Sequence, residues 1–337
     1  MAVLEVESLT KHFALKRGFF DKMLGRHPAS LIKAVDDVSF SVEAGEILGV
    51  AGESGCGKST TCYLISKLLE PTSGSIRFMG HDISGLHADG LRQYRKNVQL
   101  IFQDPYESLN PRYRVFDQVA EGPRALRLWR EADVERRTLE TLARVGLEPR
   151  DYRDRYPHQM SGGERQRVGI ACALVMEPKL VIADEPLSML DVSIRAGILD
   201  LIRKLARELD FSCIYVSHDL SILSNISERL LIMYLGRIAE MGPTERIISA
   251  PKHPYAQALI NAVPTPDPRY RRPLPRIKGD VAKPIDPPPG CRFAPRCPDV
   301  REHCRSDPPP ALLCGPGGHC AACHLLTDEV HLPAETA

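Results

Sequence analysis

Residues Gly52-Glu53-Ser54-Gly55-Cys56-Gly57-Lys58-Ser59 form the pattern G-x-x-x-x-G-K-S. The apolar run Ile47–Ala51 precedes this pattern, and a helix-compatible stretch, 60–69, follows it. In a strand–loop–helix setting such a loop binds nucleotide phosphates, because its glycines let successive N–H groups point into one concavity and the helix N-terminus adds positive potential. The pattern predicts a site for ATP or GTP; the alternative is a glycine-rich turn before an ordinary helix.

The chemistry of the loop assigns roles within it. Lys58 is expected to reach the β- and γ-phosphates, and the Ser59 hydroxyl to ligate Mg²⁺. The remaining contacts come mostly from backbone amides. The predicted nucleotide contacts in this loop are Gly52, Glu53, Ser54, Gly55, Cys56, Gly57, Lys58, Ser59 and Thr60.

Composition limits the class of protein. The chain has 337 residues and a formal net charge of +1, so it lacks the basic character of a dedicated nucleic-acid binder, and we expect no nucleic-acid partner. No apolar run approaches the roughly 20 residues that cross a bilayer, and the N-terminal residues lack a secretory-signal pattern. We therefore expect a cytoplasmic protein with one large domain and an appendage.

Two continuous apolar runs, 179–183 and 212–216, predict buried parallel strands, and helix-compatible stretches separate them. Alternating residues at 4–7 and 38–42 predict half-buried antiparallel strands. The fold class is therefore α/β with a parallel-sheet core. The basic stretch 16–33 is interpreted as an extended hairpin or loop.

The first of these apolar runs ends in two carboxylates, Asp184 and Glu185. Open α/β sheets bind ligands at the carboxyl ends of their strands. There Asp184 would hold Mg²⁺ through its water shell, and Glu185 would polarise the attacking water. A solvated strand end is the alternative.

The stretch Ser161-Gly162-Gly163-Glu164 predicts the start of a helix. Ser161 suits the N-cap position, and the two glycines allow the backbone to approach a second anion closely. A capped helix without any ligand explains the same residues equally well.

The order of these motifs, with Gln103, Asp191 and His218, resembles the ATP-binding cassette (ABC) ATPases over about residues 4–264. The resemblance implies a P-loop cassette over 1–263, with a parallel-sheet core, an antiparallel β subdomain and a helical subdomain at about 106–175. It implies that ATP and Mg²⁺ bind, that Gln103 senses Mg²⁺, that Asp191 joins the nucleotide site, that His218 contacts the γ-phosphate and that Phe13 stacks on adenine. A structural His218 and a core or surface Phe13 are the alternatives.

The same resemblance implies that two cassettes pack head to tail, as a homodimer or heterodimer. Each nucleotide then lies between one chain's phosphate loop and the Ser161 segment of the other. The family's signature normally reads L-S-G-G-Q, whereas here Met160 and Glu164 replace its first and last residues. Glu164 thereby adds a carboxylate near the expected γ-phosphate. Met189 stands where the family usually has alanine.

A narrower resemblance, carried by 157–159, 233–237 and 253–255, is to ATPase subunits of oligopeptide and dipeptide importers. It implies a peripheral location on the cytoplasmic face of the membrane and two transmembrane permease subunits bound through 103–130. An extracytoplasmic substrate-binding protein would complete the complex. Nickel, an oligosaccharide or glutathione are alternative cargoes. A soluble ABC ATPase acting on nucleic acid or the ribosome is the alternative of another class.

The C-terminal part is unusual in composition. Residues 264–290 contain nine prolines and predict a stiff extended linker. Six of the ten cysteines then fall within 291–326, before a tail of 327–337. A disulfide framework is improbable in a reducing cytosol, so this density predicts a metal site.

The cysteine-rich appendix resembles the [4Fe–4S] segment of the peptide-importer group. The resemblance implies Cys291, Cys297, Cys304 and Cys323 as ligands. Cys314 and Cys320 are additional, so the fourth ligand stays open among the last three cysteines. Zinc and a metal-free tail are the alternatives, because thiolates bind zinc as well as iron–sulfur clusters.

Overall fold

A computed structural model of the chain describes residues 1–15, 30–104, 108–263, 277, 279, 283–310, 312–315 and 317–326. The strands are β1 (Ala2–Ala14), β2 (Leu31–Glu43), β3 (Ile47–Ala51), β4 (Ser73–Phe78), β5 (His81–Asp82), β6 (Val98–Ile101), β7 (Leu180–Asp184), β8 (Ser212–Val216), β9 (Arg229–Tyr234), β10 (Arg237–Pro243), β11 (Leu313–Cys314) and β12 (Cys320–Ala321). The helices are α1 (Lys58–Ile65), α2 (Ala88–Asn97), α3 (Val115–Ala125), α4 (Glu131–Arg144), α5 (Pro149–Tyr152), α6 (Gly162–Leu174), α7 (Val192–Leu209), α8 (Leu220–Ile226), α9 (Thr244–Ser249), α10 (Pro254–Asn261) and α11 (His303–Ser306).

The chain divides into two compact units. The first unit comprises Met1–Glu5, Ser41–Ile47 and Ile76–Val216. The second comprises Val6–Phe40, Leu48–Ser75 and Ser217–Ala337. No helix within the described ranges is both long and apolar enough to cross a membrane.

Three parallel strands form the sheet of the first unit. In this sheet β7 lies between β6 and β8, with Val98 opposite Leu180 and Leu180 opposite Ser212. Every residue of β7 and β8 is buried, which explains why the sequence shows unbroken apolar runs there instead of alternation. The predicted parallel core is confirmed. Helices α3, α4 and α6 pack on one another in this unit.

The second unit combines parallel and antiparallel pairing. Strand β3 runs parallel to β9, and β10 returns antiparallel to β9. The C-terminal segment extends this arrangement, because β12 pairs antiparallel with β10 and β11 pairs with β12. The cysteine-rich segment therefore contributes strands to the fold of the unit.

Contacts near the predicted proline-rich linker reach β2. The Lys33 N–H donates to the Pro284 carbonyl at 2.9 Å, and Ile285 forms a β-bridge with Ile32. Most of the linker, 264–276, 278 and 280–282, lies outside the described residues. Pro284 and Ile285 thus contact β2, so this end of the predicted linker is packed against the folded unit and is not a free chain.

The remaining strands form a four-stranded sheet in the order β2-β1-β4-β5, in which β4 and β5 pair antiparallel. The basic stretch interpreted as a hairpin or loop falls mainly on 16–29, outside the described residues; its last residues enter β2 at Leu31.

Buried polar contacts fasten the C-terminal segment to the second unit. Glu240 in β10 is fully buried, and its carboxylate accepts hydrogen bonds from the N–H groups of Lys252 and His253 at 2.7–3.1 Å. The same carboxylate pairs with His319 at 2.5 Å. A buried carboxylate needs such partners to offset its loss of hydration, so this cluster ties residues near β12 to β10.

Candidate nucleotide-binding site

The phosphate loop joins β3 to α1 within the second unit, as the sequence predicts. Gly57 has φ +110°, a conformation that favours glycine. A Cβ atom at Gly57 would lie 2.3 Å from the Ala34 carbonyl oxygen, and one at Gly52 would lie 2.4 Å from that of Met233. Only glycine fits at these two positions. The close packing of the loop against Ala34 and Met233 therefore requires the glycines of the phosphate-binding pattern.

Lys58 begins α1 and is buried, with its chain folded back onto the loop. Its Nζ donates to the carbonyl oxygens of Gly52 at 2.7 Å and Glu53 at 3.2 Å. A bound triphosphate would offer oxygens of higher charge to the same ammonium group. Ser59 and Thr60 follow in the first turn and are both partly exposed.

The interior of the loop mixes exposed and buried residues. Ser54 and Gly55 are exposed. Cys56 is buried, and burial raises the pKa of its thiol, so the side chain stays neutral and adds no negative charge beside the phosphate position. The Cys56 carbonyl accepts a hydrogen bond from the Gly236 N–H at 2.8 Å. Backbone contacts therefore anchor the middle of the loop.

Glu53 has two partners that the sequence analysis missed. Its N–H donates to the Tyr255 hydroxyl at 2.9 Å, and its carboxylate forms an ion pair with Arg296 at 2.7 Å. Tyr255 lies in the stretch 253–255, which carried the resemblance to peptide-importer ATPases but did not predict this contact. Nothing in the sequence pattern around Arg296 indicates its partner.

Two further predicted residues belong to the second unit. His218 follows β8 and is exposed. Phe13 lies near the end of β1 with 37% of its surface exposed, and Lys11 Nζ stands 5.3 Å from its ring centroid. Phe13 is therefore not a core residue, which removes one alternative and leaves an accessible ring.

The carboxylate pair lies at the end of β7 in the first unit. Asp184 is buried, whereas Glu185 is partly exposed and has a left-handed backbone, φ +46°. The Glu185 N–H donates to the Val216 carbonyl at 3.0 Å, and Gln103 Nε2 donates to the Glu185 carboxylate at 3.3 Å. Gln103 and Glu185 are thus brought together. The backbone hydrogen bond to Val216 holds residue 185 in this left-handed conformation.

Ser161 caps α6 through a reciprocal arrangement with Glu164. The Ser161 Oγ accepts from the Glu164 N–H at 3.3 Å, and the Glu164 carboxylate accepts from the Ser161 N–H at 2.7 Å and the Ser161 hydroxyl at 2.8 Å. The Tyr152 hydroxyl donates to the other carboxylate oxygen at 2.5 Å. The hydrogen bond from Tyr152, and to a smaller extent that from the Ser161 N–H, lowers the pKa of Glu164, so this carboxyl is ionised.

The glycines of the same segment serve packing as well. A Cβ atom at Gly163 would lie 2.8 Å from the Ile194 side chain, so glycine lets α6 approach α7 closely. Asp191 occupies the N-cap of α7, where its side chain is exposed and makes no capping hydrogen bond.

The predicted site residues thus fall into two sets, one in each unit. The phosphate loop, His218 and Phe13 belong to the second unit. Gln103, the Asp184–Glu185 pair, the Ser161 segment and Asp191 belong to the first.

The cysteine-rich segment contains a disulfide between Cys314 and Cys320, although a disulfide framework was expected to be improbable. Pairing of β11 with β12 places Cys314 directly opposite Cys320, with their Cα atoms 3.9 Å apart. Cross-strand register therefore explains the bond. It also removes two of the three cysteines between which the fourth cluster ligand was left open.

The other four cysteines of the segment are neighbours. The Cys291 N–H donates to the Cys304 carbonyl at 2.8 Å. Burial, together with smaller contributions from negative charge on the neighbouring Cys291, Cys297 and Cys304 thiols, raises the pKa of Cys323 to about 11. Within the described part of the chain, no group of three or more His, Cys, Asp or Glu side chains is arranged as a metal site. The four cysteines form no disulfide, but the arrangement of their side chains does not show the predicted cluster site.

The fold and the phosphate loop define the class of protein, a P-loop nucleotide-binding cassette. Residues 35–188 match the family described as ABC transporter, and residues 239–304 match the region described as oligopeptide/dipeptide transporter, C-terminal region. The chain is similar to the ATP-binding cassette MJ0796, solved as a dimer in a post-hydrolysis state with ADP and Pi. That likeness has a TM-score of 0.61 and 26% identity, and it covers 72% of this chain and 98% of the other.

Sequence relatives extend over nearly the whole chain. A probable peptide ABC transporter ATP-binding protein of Sinorhizobium fredii is 44% identical over 96% of this chain and 90% of its own length. The di/tripeptide transport ATP-binding protein DppF of Pseudomonas aeruginosa is 42% identical over 92% and 94%. The oligopeptide transport ATP-binding protein OppF of Salmonella typhimurium is 43% identical over 95% of both chains. The chain therefore belongs to the ABC transporter family, as one of its ATP-binding proteins, and the predicted cassette fold is confirmed.

Proposed function

We propose that the chain is the ATP-hydrolysing subunit that energises a membrane importer of dipeptides or oligopeptides. The observation that carries this proposal is the C-terminal region, because residues 239–304 match the region characteristic of oligopeptide/dipeptide transporters. Relatives that are 42–44% identical over most of the chain carry peptide-transport names. Peripheral attachment to the cytoplasmic face of a membrane follows from this function, with the bilayer crossed by other chains.

Each site residue has a proposed role in hydrolysis. Amides of the phosphate loop and Lys58 would hold the triphosphate, and Phe13 would stack on the adenine. Hard oxygen donors suit Mg²⁺, so Ser59, Asp184 and Gln103 would hold the ion, which would neutralise charge on the phosphates. The chain's own Glu185 would accept a proton from the attacking water, and the hydrogen bond from Gln103 supports its orientation. His218 would contact the γ-phosphate.

We further propose that a second cassette, identical or different, completes the nucleotide site. Its Ser161–Glu164 segment would add the N-terminus of a second helix to the phosphates, and its Asp191 would lie at the same interface. Two permease subunits would bind through 103–130, and an extracytoplasmic binding protein would deliver the peptide to them. Helix N-termini favour anions, so a triphosphate between two of them would hold the cassettes together.

A detergent pull-down with the tagged full-length chain tests the proposed function. We expect two apolar membrane subunits to co-purify and, after reconstitution into vesicles, the complex to hydrolyse ATP faster when a binding protein loaded with peptide is present. The catalytically impaired Glu185→Gln variant should recover the same subunits without the stimulation. Recovery of nucleic acid or ribosomal proteins in place of membrane subunits would reject the proposal.

The ionised carboxylate of Glu164 leads to a prediction about the facing cassette. The Glu164 carboxylate accepts a hydrogen bond from the Ser161 hydroxyl and would lie near the γ-phosphate of a shared nucleotide. It would therefore oppose association of the two cassettes, because it repels the phosphate and occupies the Ser161 hydroxyl. Glu164→Gln should strengthen ATP-dependent association with the second cassette by roughly 10-fold, as expected for one partly exposed charge. Sedimentation velocity in a Glu185→Gln background measures this association.

Tyr152→Phe is the matched control, because it removes the other hydrogen-bond partner of Glu164 and leaves the charge in place. It should not strengthen association. Equal or weaker association of the Glu164→Gln variant would show that the carboxylate does not oppose closure.

We also propose that Cys291, Cys297, Cys304 and Cys323 hold a [4Fe–4S] cluster, with zinc as the alternative metal. The Cys314–Cys320 disulfide supports Cys323 as the fourth ligand. Anaerobically purified protein should be brown and contain about four iron atoms per chain. Cys323→Ser should lose iron, whereas Cys314→Ser should retain it. Zinc without iron, or iron loss from Cys314→Ser alone, would contradict this assignment.

A further inference from the structure

The Cys291–Cys297 segment places a buried arginine against the phosphate loop. The Arg296 side chain is 9% exposed, and its two terminal nitrogens donate to the two carboxylate oxygens of Glu53 at 2.7 and 3.0 Å. This is the bidentate geometry in which a guanidinium binds a carboxylate most strongly. Both residues belong to the second unit, so the contact is internal to one compact body.

Three aromatic side chains pack against one another, and two of them, Tyr234 and Tyr255, contact the ion-paired residues. The ring centroids of Tyr234, Tyr255 and Phe293 lie 4.6–5.4 Å apart, and Tyr255 is fully buried. The Tyr234 hydroxyl accepts from Arg296 at 3.4 Å, and the Tyr255 hydroxyl accepts from the Glu53 N–H at 2.9 Å. The loop is therefore held at the backbone and at the side chain of the same residue, and the Arg296 side chain is largely shielded from water while that of Glu53 is 20% exposed.

The ion pair involves a residue of the phosphate loop itself. Glu53 is the second residue of the phosphate loop, and its carbonyl oxygen accepts a hydrogen bond from the Lys58 ammonium at 3.2 Å. A Glu53 carboxylate without its arginine would bring an uncompensated negative charge to a loop that receives a triphosphate. It would also be free to leave its present position and to compete with the phosphates for Lys58.

We propose that Arg296 is a positioning residue for the phosphate loop, and that its pairing with Glu53 makes nucleotide affinity depend on the folded cysteine-rich segment. The inference rests on the proposed role of the loop in binding ATP. It does not require a cluster on the neighbouring cysteines, because the contact is made by the Arg296 side chain itself. Arg296 touches neither nucleotide nor reacting atoms and acts through Glu53.

The test is the dissociation constant of MgATP, measured by calorimetry on the full-length chain. Arg296→Gln should weaken binding by roughly 10- to 100-fold, because it leaves the Glu53 charge unpaired. The double variant Glu53→Gln/Arg296→Gln leaves no charge unpaired and should bind MgATP at least about 3-fold more tightly than Arg296→Gln alone. Arg296→Lys retains the charge without the bidentate geometry and should lie between these two values.

Arg237→Gln is the matched control, because Arg237 belongs to the same unit but pairs with Asp36 and not with the loop. It should leave the dissociation constant unchanged. Unaltered binding by Arg296→Gln would overturn the proposal. A double variant as weak as Arg296→Gln would overturn it as well, because a packing role would then suffice. An unaltered chain that binds no MgATP would instead reject the proposed function.

Discussion

Lys58→Ala should weaken MgATP binding by at least about 100-fold, as expected when a buried cation that pairs with phosphate oxygens is removed. Lys58 is 6% exposed and donates to the Gly52 and Glu53 carbonyl oxygens, so its ammonium is already held at the mouth of the loop. Only a short exchange of partners is needed when phosphate enters. Equilibrium binding of a fluorescent ATP analogue measures the effect.

Lys67→Ala is the control for this experiment. Lys67 lies just beyond α1, and its ammonium pairs with Glu70 at 3.2 Å. Its loss should leave nucleotide affinity unaltered. A dissociation constant for Lys58→Ala within about 3-fold of that of the unaltered chain would show that this loop does not bind the phosphates.

Glu185→Gln should slow ATP hydrolysis by about 10²–10⁴-fold while preserving ATP binding, because an amide cannot accept the proton of the attacking water. The substitution keeps the size of the side chain. It also keeps the backbone hydrogen bond to Val216 that holds residue 185 at positive φ. Single-turnover hydrolysis with radiolabelled ATP separates the chemical step from binding.

Glu177→Gln is a matched control for this variant. Glu177 also lies in the first unit and also has a left-handed backbone, φ +51°, but its carboxylate pairs with Arg137. It should hydrolyse ATP at the normal rate. Near-normal turnover by Glu185→Gln would show that another group activates the water.

The central strands and the phosphate loop could be predicted from the sequence because each is encoded by a short run of neighbouring residues. Strands β7 and β8 are buried throughout, and burial on both faces leaves an unbroken apolar run. Similarly, any larger residue at Gly52 or Gly57 would clash with a nearby carbonyl oxygen, so the glycine pattern in the sequence reflects the packing of the loop.

Contacts between residues far apart in the sequence could not be predicted. Arg296 and Glu53 are separated by 243 positions, and no periodicity connects them. The disulfide was missed for a related reason: the compartment argued against it, whereas the register of β11 and β12 brings Cys314 opposite Cys320. Glu164 was recognised as a departure from a signature, but its bonds to Ser161 and Tyr152 became visible only in the structure.

A crystal structure of the Glu185→Gln variant with MgATP would show directly whether the phosphate loop and a second cassette bind the nucleotide together. We expect the triphosphate to lie on the loop and to contact Lys58 and the amides of residues 55–59, with Arg296 still paired to Glu53. We also expect the Ser161 segment of a second cassette to contact the γ-phosphate. An empty loop, or an occupied loop that no second cassette covers, would contradict the account.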